Sequence, residues 1–163
     1  MASVPNTATF SLTDVNVVLG QTNLVSCLAV AVDWCFNPAY KGSKNSLLNF
    51  RDYNTARIPV VTMTGLENNG GSASFNLVSN GPITMTYTLT ADSATTRSAT
   101  LSLGGSVVNT CSTGTAKHGT KTGAITFASA STQSFTLSVG VSGGGSGSGA
   151  FSLTNGVYVS VYI

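Results

Sequence analysis

One histidine, three cysteines and five carboxylates are the side chains here whose types could carry catalysis or hold a metal. His118 lies in a polar segment, Thr113-Gly114-Thr115-Ala116-Lys117-His118-Gly119-Thr120. A Ser-His-Asp relay would need a serine on a nucleophile elbow and an acid placed behind the imidazole. No acid sits at a suggestive spacing for such a relay, so His118 reads as a solvated loop residue. The acids Asp14, Asp33, Asp52, Glu67 and Asp92 each have a structural role to hand as caps, turns or local ion pairs, Arg51 being a near partner for Asp52. Glycoside hydrolysis needs two facing carboxylates, and such sites bring exposed aromatics, whereas Trp34 is the lone tryptophan. Cys27, Cys35 and Cys111 are odd in number and lack a CxxC spacing, which points to buried free thiols rather than a metal site. The run Gly143-Gly144-Gly145-Ser146-Gly147-Ser148-Gly149 has a phosphate-cradle composition, but no helix follows and no lysine sits within it. It reads as a flexible loop. The expectation is a chain that is not an enzyme, with no catalytic residue, cofactor or metal.

Composition directs attention to surfaces instead. Charged residues make up 7% of the 163, against about 25% in an ordinary soluble protein. Little electrostatic repulsion then opposes the packing of one copy against another. The net charge is +2, and Lys41, Lys44, Arg51, Arg57, Arg97, Lys117 and Lys121 are scattered rather than gathered into a stripe, so nucleic acid is not an expected partner. With 42% hydrophobic residues in strongly periodic order the chain should fold. Its longest apolar stretch, from Leu24 to Val32, contains Ser26 and Cys27 and is too short to cross a bilayer. Met1-Ala2-Ser3-Val4-Pro5 has no basic region or apolar run of the signal-peptide kind, so synthesis in the cytosol without an export step is expected.

Two periodicities divide the chain. Residues 1–56 read as a helical and irregular segment. Ser11-Leu12-Thr13-Asp14 has the form of a capping box, Leu12, Val15, Val18 and Leu19 share a helical face, and Gly20 is placed to end that helix. Thr22 or Asn23 can cap a second helix running through Asp33, Pro38 forbids a continuing helix, and a third short helix or turn fits Asn45–Tyr53. A segment of this size should lack a core of its own. From residue 57 to 163 the period becomes two, most plainly in Ile83-Thr84-Met85-Thr86-Tyr87-Thr88-Leu89-Thr90, which builds one apolar face and one hydroxyl face. Strands are expected at Ile58–Thr64, Ala73–Val78, Ile83–Thr90, Ser98–Leu103, Gly123–Ala128, Ser134–Val141 and Val157–Ile163, with shorter pieces near Val107 and Phe151. Asn155-Gly156 has the composition of a two-residue hairpin turn. The fold class is mainly β: an antiparallel immunoglobulin-like or jelly-roll-like β-sandwich with a small N-terminal helical segment. On the last strand Tyr158 and Tyr162 alternate with valines and are candidates for an outward interface.

Two short segments carry a resemblance. Ser11-Leu12-Thr13-Asp14-Val15-Asn16-Val17-Val18-Leu19-Gly20 and Gly42-Ser43-Lys44-Asn45-Ser46-Leu47-Leu48-Asn49-Phe50-Arg51-Asp52-Tyr53 resemble the paired segments that precede β-rich domains in structural proteins of tailed bacteriophages. The matching positions are Leu12, Asp14, Val15, Leu19 and Gly20, then Leu47, Phe50, Arg51 and Tyr53; Thr13 stands where serine is expected and keeps the capping chemistry. The resemblance covers about a third of the chain and implies a non-enzymatic virion or phage-tail-like particle component, whether head decoration, fibre or baseplate protein. Its partners would be itself and other particle proteins, and it would assemble in the host cytoplasm. Leu47, Phe50, Arg51 and Tyr53 are the implied docking contacts, with Tyr158 and Tyr162 second. The alternatives are a receptor- or glycan-binding module at a fibre tip, using the Gly143–Gly149 and Gly114–Lys121 loops, and an extracellular filament or pilus subunit.

Overall fold

The hydroxyl-apolar alternation becomes two stacked antiparallel sheets. A computed structural model describes residues 2–93, 97–114, 117–141, 147–154 and 159–163. The chain forms two units, Met1–Pro59 and Val60–Ile163.

In the first unit, helix α1 (Leu12–Leu19) starts where its capping box dictates. Ser11 N donates to Asp14 Oδ2 at 2.6 Å, and Asp14 N donates to Ser11 Oγ at 3.3 Å. Gly20, at φ 65°, ends the helix in the left-handed conformation that costs glycine least. Helix α2 (Leu24–Val30) is capped by Asn23, whose Oδ1 accepts from Ser26 N at 2.9 Å. It stops short of Asp33 because Ala31 and Val32 turn extended and the Val32 amide donates to the Tyr53 hydroxyl at 2.9 Å instead of to a helical carbonyl. Asp33–Cys35 and Leu47–Phe50 are 3-10 turns. Against the expectation from its size, this unit closes its own core. Val4, Val15, Cys27, Cys35, Phe36, Phe50 and Tyr53 are buried, and the three rings of Phe36, Phe50 and Tyr53 pack with centroids 5.0, 4.9 and 5.5 Å apart.

The second unit has nine described strands: β1 (Val61–Asn68), β2 (Ser72–Ser79), β3 (Ile83–Ser93), β4 (Arg97–Leu103), β5 (Ser106–Ser112), β6 (His118–Phe127), β7 (Ser131–Val141), β8 (Gly147–Thr154) and β9 (Val159–Tyr162). One sheet has the order β1-β2-β7-β4-β5 and the other β6-β3-β8-β9, every pairing antiparallel. Inward positions from both sheets make one core, centred on Phe75, Phe135, Phe151 and Tyr87, whose neighbouring rings lie 5.3–6.5 Å apart. The sandwich is as the alternation implied, with four differences. β1 begins after Pro59 and runs on to Asn68 through a bulge. β5 is a full strand whose valines face out, which broke the pattern by which strands are recognised. β6 begins at His118, so residues 118–121 belong to a strand rather than a loop. Gly147–Gly149, expected in the glycine loop, pair with Ser93, Asp92 and Ala91 in β8. Glycine is required there because a Cβ on Gly149 would sit 2.7 Å from Val139 Cγ2. Residues 142–146 and 155–158, where the Asn155-Gly156 hairpin turn was expected, lie outside the described residues.

Candidate functional site

Outward positions of the five-stranded sheet form cross-strand rows of small polar side chains. Ser72, Ser138, Thr100 and Thr110 make one row, and Glu67, Ser74, Thr136, Ser102 and Val107 the next. Asn76 and Ser134 continue the pattern beside Thr64. The rows are hydrogen-bonded within themselves: Ser72 to Ser138 at 3.2 Å, Ser74 to Thr136 at 3.4 Å, and Ser134 Oγ donating to Asn76 Oδ1 at 2.6 Å. The four-stranded sheet repeats this with threonine. Thr84 faces Thr126 at 3.1 Å, Thr86 faces Thr154 at 3.1 Å, and Thr122, Thr88, Ser152 and Ser160 line up across four strands. Such pairs stabilise by about 0.2–1 kcal/mol each, and they set hydroxyls and methyls at strand spacing over a nearly uncharged plane.

One place on the first of these faces is concave. Between Thr64 and Glu67 strand β1 slips register, with Gly65 at φ 61°, and the bulge brings Glu67 opposite Ser74. Across the sheet the Gly104–Gly105 turn approaches β7, Gly104 N donating to Ser134 O at 3.3 Å. Between these walls Ser74, Asn76, Ser134 and Thr136 floor an open groove of about 360 Å³. Phe75 and Phe135 contribute only backbone, their rings being turned into the core.

Of the residues expected at an interface, Phe50 and Tyr53 are at 0% and 1% exposure and belong to the core of the first unit, so they are not docking contacts. These two positions of the resemblance are packing residues, their rings meeting each other and Phe36. Leu47 is half-buried against the same core. Arg51 lies over the Tyr40 ring, 4.3 Å from its centroid, and its Nε donates to Asn6 Oδ1 at 3.1 Å. It does not pair with Asp52, whose carboxylate instead accepts from Arg57 at 3.1 Å and Asn37 at 2.7 Å. Tyr162 is 69% exposed while Val161 beside it is buried, so the tyrosine faces out as the alternation required; Tyr158 lies outside the described residues. The exposed apolar side chains of the first unit are others, notably Val17 on α1, Val25 on α2 and Leu48 beside Leu47.

His118 sits at the start of β6 opposite Asp92, Nδ1 to Oδ1 3.9 Å, with both side chains open to solvent. All three cysteines are free and buried, and burial pushes each thiol up from its ordinary value. Cys27 Sγ donates to Asn16 Oδ1 at 3.2 Å and Cys111 Sγ to the Gly119 carbonyl at 3.0 Å. Burial likewise raises Tyr53. Burial would raise Asp33, but hydrogen bonds from Lys41, at 2.5 Å, and Lys44 outweigh it and hold the carboxyl below its usual value. Arg97, invisible as a core residue in the sequence, is buried at the end of the sandwich, its Nε donating to Ser93 Oγ and its backbone N to Thr113 Oγ1 at 3.0 Å.

No family model matches the chain, and no curated protein does. Among solved structures, a PA14 sugar-binding domain from an RTX adhesin is similar over 58% of this chain and 54% of its own, at 19% identity and a TM-score of 0.35. The chain thus spans about half the length of that structure. A likeness of that depth carries no functional inference.

Proposed function

We propose that this protein is a non-enzymatic structural component of a phage virion or phage-tail-like particle, working through contacts with its own kind and with a larger assembly. The particle assignment is what the resemblance of the Ser11–Gly20 and Gly42–Tyr53 segments implies, and the observation that supports contact with its own kind is the pair of hydroxyl-studded sandwich faces. Charge enters their described outward positions at Glu67 on one and at Asp92 and His118 on the other. A surface that presents Ser and Thr rows instead of Lys and Glu is cheap to desolvate and offers little repulsion to a neighbour. The exposed Val17, Val25 and Leu48 supply apolar contacts on the N-terminal unit, in place of Phe50 and Tyr53. Assembly in the host cytoplasm follows from the same reading. Sedimentation of the purified chain over a wide concentration range tests it: concentration-dependent oligomers are expected, and a strict monomer at every concentration refutes self-association. Mass spectrometry of purified particles from the source host tests the particle assignment.

A second reading, recognition of a glycan by the sandwich, is favoured by the groove between the β1 bulge and the Gly104–Gly105 turn. It differs from the loop-based site expected from the sequence, since its floor is strand.

A further inference from the structure

We infer that the groove on the outward face of the five-stranded sheet is a binding site for an uncharged oligosaccharide, with Glu67 and Asn76 as the groups that hold its hydroxyls. The inference rests on the second reading above and gives it a place and a ligand class.

The groove's walls are the glycines of the β1 bulge and the Gly104–Gly105 turn together with Glu67, and its floor is polar. Gly65 has no side chain to cover Asn76, whose Nδ2 would lie 3.8 Å from a Cβ at that position. Asn76 Oδ1 is occupied by the Ser134 hydroxyl, at 2.6 Å, which fixes the amide so that its two N–H donors are the free end. Among the described residues those donors have no acceptor. Glu67 has no ion-pair partner among the described residues and stands one row away, opposite Ser74. The site therefore offers a fixed pair of donors on β2 and, one row away on β1, a carboxylate that only accepts, with the hydroxyls of Ser74 and Thr136 in the same groove. A sugar hydroxyl is both donor and acceptor. One on a ring can donate to Glu67 while its neighbour accepts from Asn76, and charge-assisted bonds to carboxylate are the stronger kind.

Other ligand classes fit less well. The groove's described lining has no cation, and Glu67 would repel an anion such as a sialylated or phosphorylated glycan. An apolar ligand would strip water from the floor without replacing its hydrogen bonds. The volume of about 360 Å³ is at the small end of ligand sites, suited to a few atoms' depth of contact along a chain lying in the groove. The floor is built on strands β2 and β7 at the middle of the sheet, the rigid part of the fold.

The test is an array of immobilised neutral and sialylated oligosaccharides, read with the full chain and with Glu67→Gln and Asn76→Ala. The neutral member best retained is then titrated calorimetrically. Expected is retention of neutral members only, weakened at least tenfold by each substitution while the thermal midpoint of Glu67→Gln is unchanged, its side chain being exposed. Retention that both variants keep in full overturns this site and leaves glycan recognition standing elsewhere on the sandwich. Retention of sialylated members alone overturns the ligand class. No retention of any member overturns the site and the second reading together.

Discussion

Replacing Gly123 by alanine sets two effects of opposite sign against each other. Gly123 lies directly opposite Tyr87 in the β3–β6 pair, and its backbone φ is one an alanine can adopt. On chain entropy alone alanine should stabilise by about 0.4–1 kcal/mol. But a Cβ at this position would lie 2.2 Å from Tyr87 Oη and 2.3 Å from Cζ, so the ring must leave its place. In leaving it gives up the bond accepted from Asn109 Nδ2 at 2.9 Å, about 1 kcal/mol. It also gives up the tilted contact with Phe151 at 5.5 Å, about 0.5–1.5 kcal/mol. Forcing a ring through a packed core adds about 1–3 kcal/mol. The overlap wins, and the net expectation is a loss of about 2–4 kcal/mol. In a domain near 100 residues that is roughly 10–30 °C of melting temperature. Urea unfolding followed by far-UV circular dichroism measures it. With Tyr87→Leu already in place the overlap is relieved, and the same Gly123→Ala change should become neutral or stabilising, a coupling that a double-mutant cycle isolates. A single Gly123→Ala variant within 0.5 kcal/mol of the parent, a bound well below the ~1 kcal/mol typical of point substitutions, would refute the packing described here.

Phe50→Ala should destabilise the N-terminal unit by about 3–5 kcal/mol, seen as early loss of Trp34 fluorescence change in denaturant, because it empties the centre of a three-ring core. Leu48→Ser and Val25→Ser, at 70% and 77% exposure, should leave stability nearly unchanged and weaken self-association in sedimentation; unchanged association would remove those residues from the interface. Iodoacetamide at pH 8 should alkylate the native chain slowly and the denatured chain at all of Cys27, Cys35 and Cys111, counted by mass spectrometry, since the thiols are buried and their ionisation is suppressed. Asp33 is held below its unfolded value, so its stabilising contribution is whole above about pH 4 and fades as pH falls through the lower folded value. Asp33→Asn should therefore reduce stability at neutral pH and flatten the acid limb of the stability curve; an unaltered limb would show the Lys41 and Lys44 pairs to be inert.

The sequence alone determined what depends on neighbours along the chain. Ser11 and Asp14 close a capping box because the bond partners are three residues apart, and Gly20 ends the helix one position after Leu19. The alternation from Ile83 to Thr90 fixed which face of β3 is core, since a strand gives its side chains only two directions. Other features depend on residues far apart in the chain. Phe50 and Tyr53 were expected as docking contacts, and only their meeting with Phe36 and Val32 makes them core. Gly147 and Gly149 look like linker until Arg97 crowds the first and Val139 and Ala99 crowd the second. The groove joins a bulge in β1, a floor from β2 and β7, and a turn after β4, segments that only sheet order brings side by side. Local hydrogen bonding and steric period are written in consecutive residues; burial and concavity are properties of which strands become neighbours, and no local pattern encodes that.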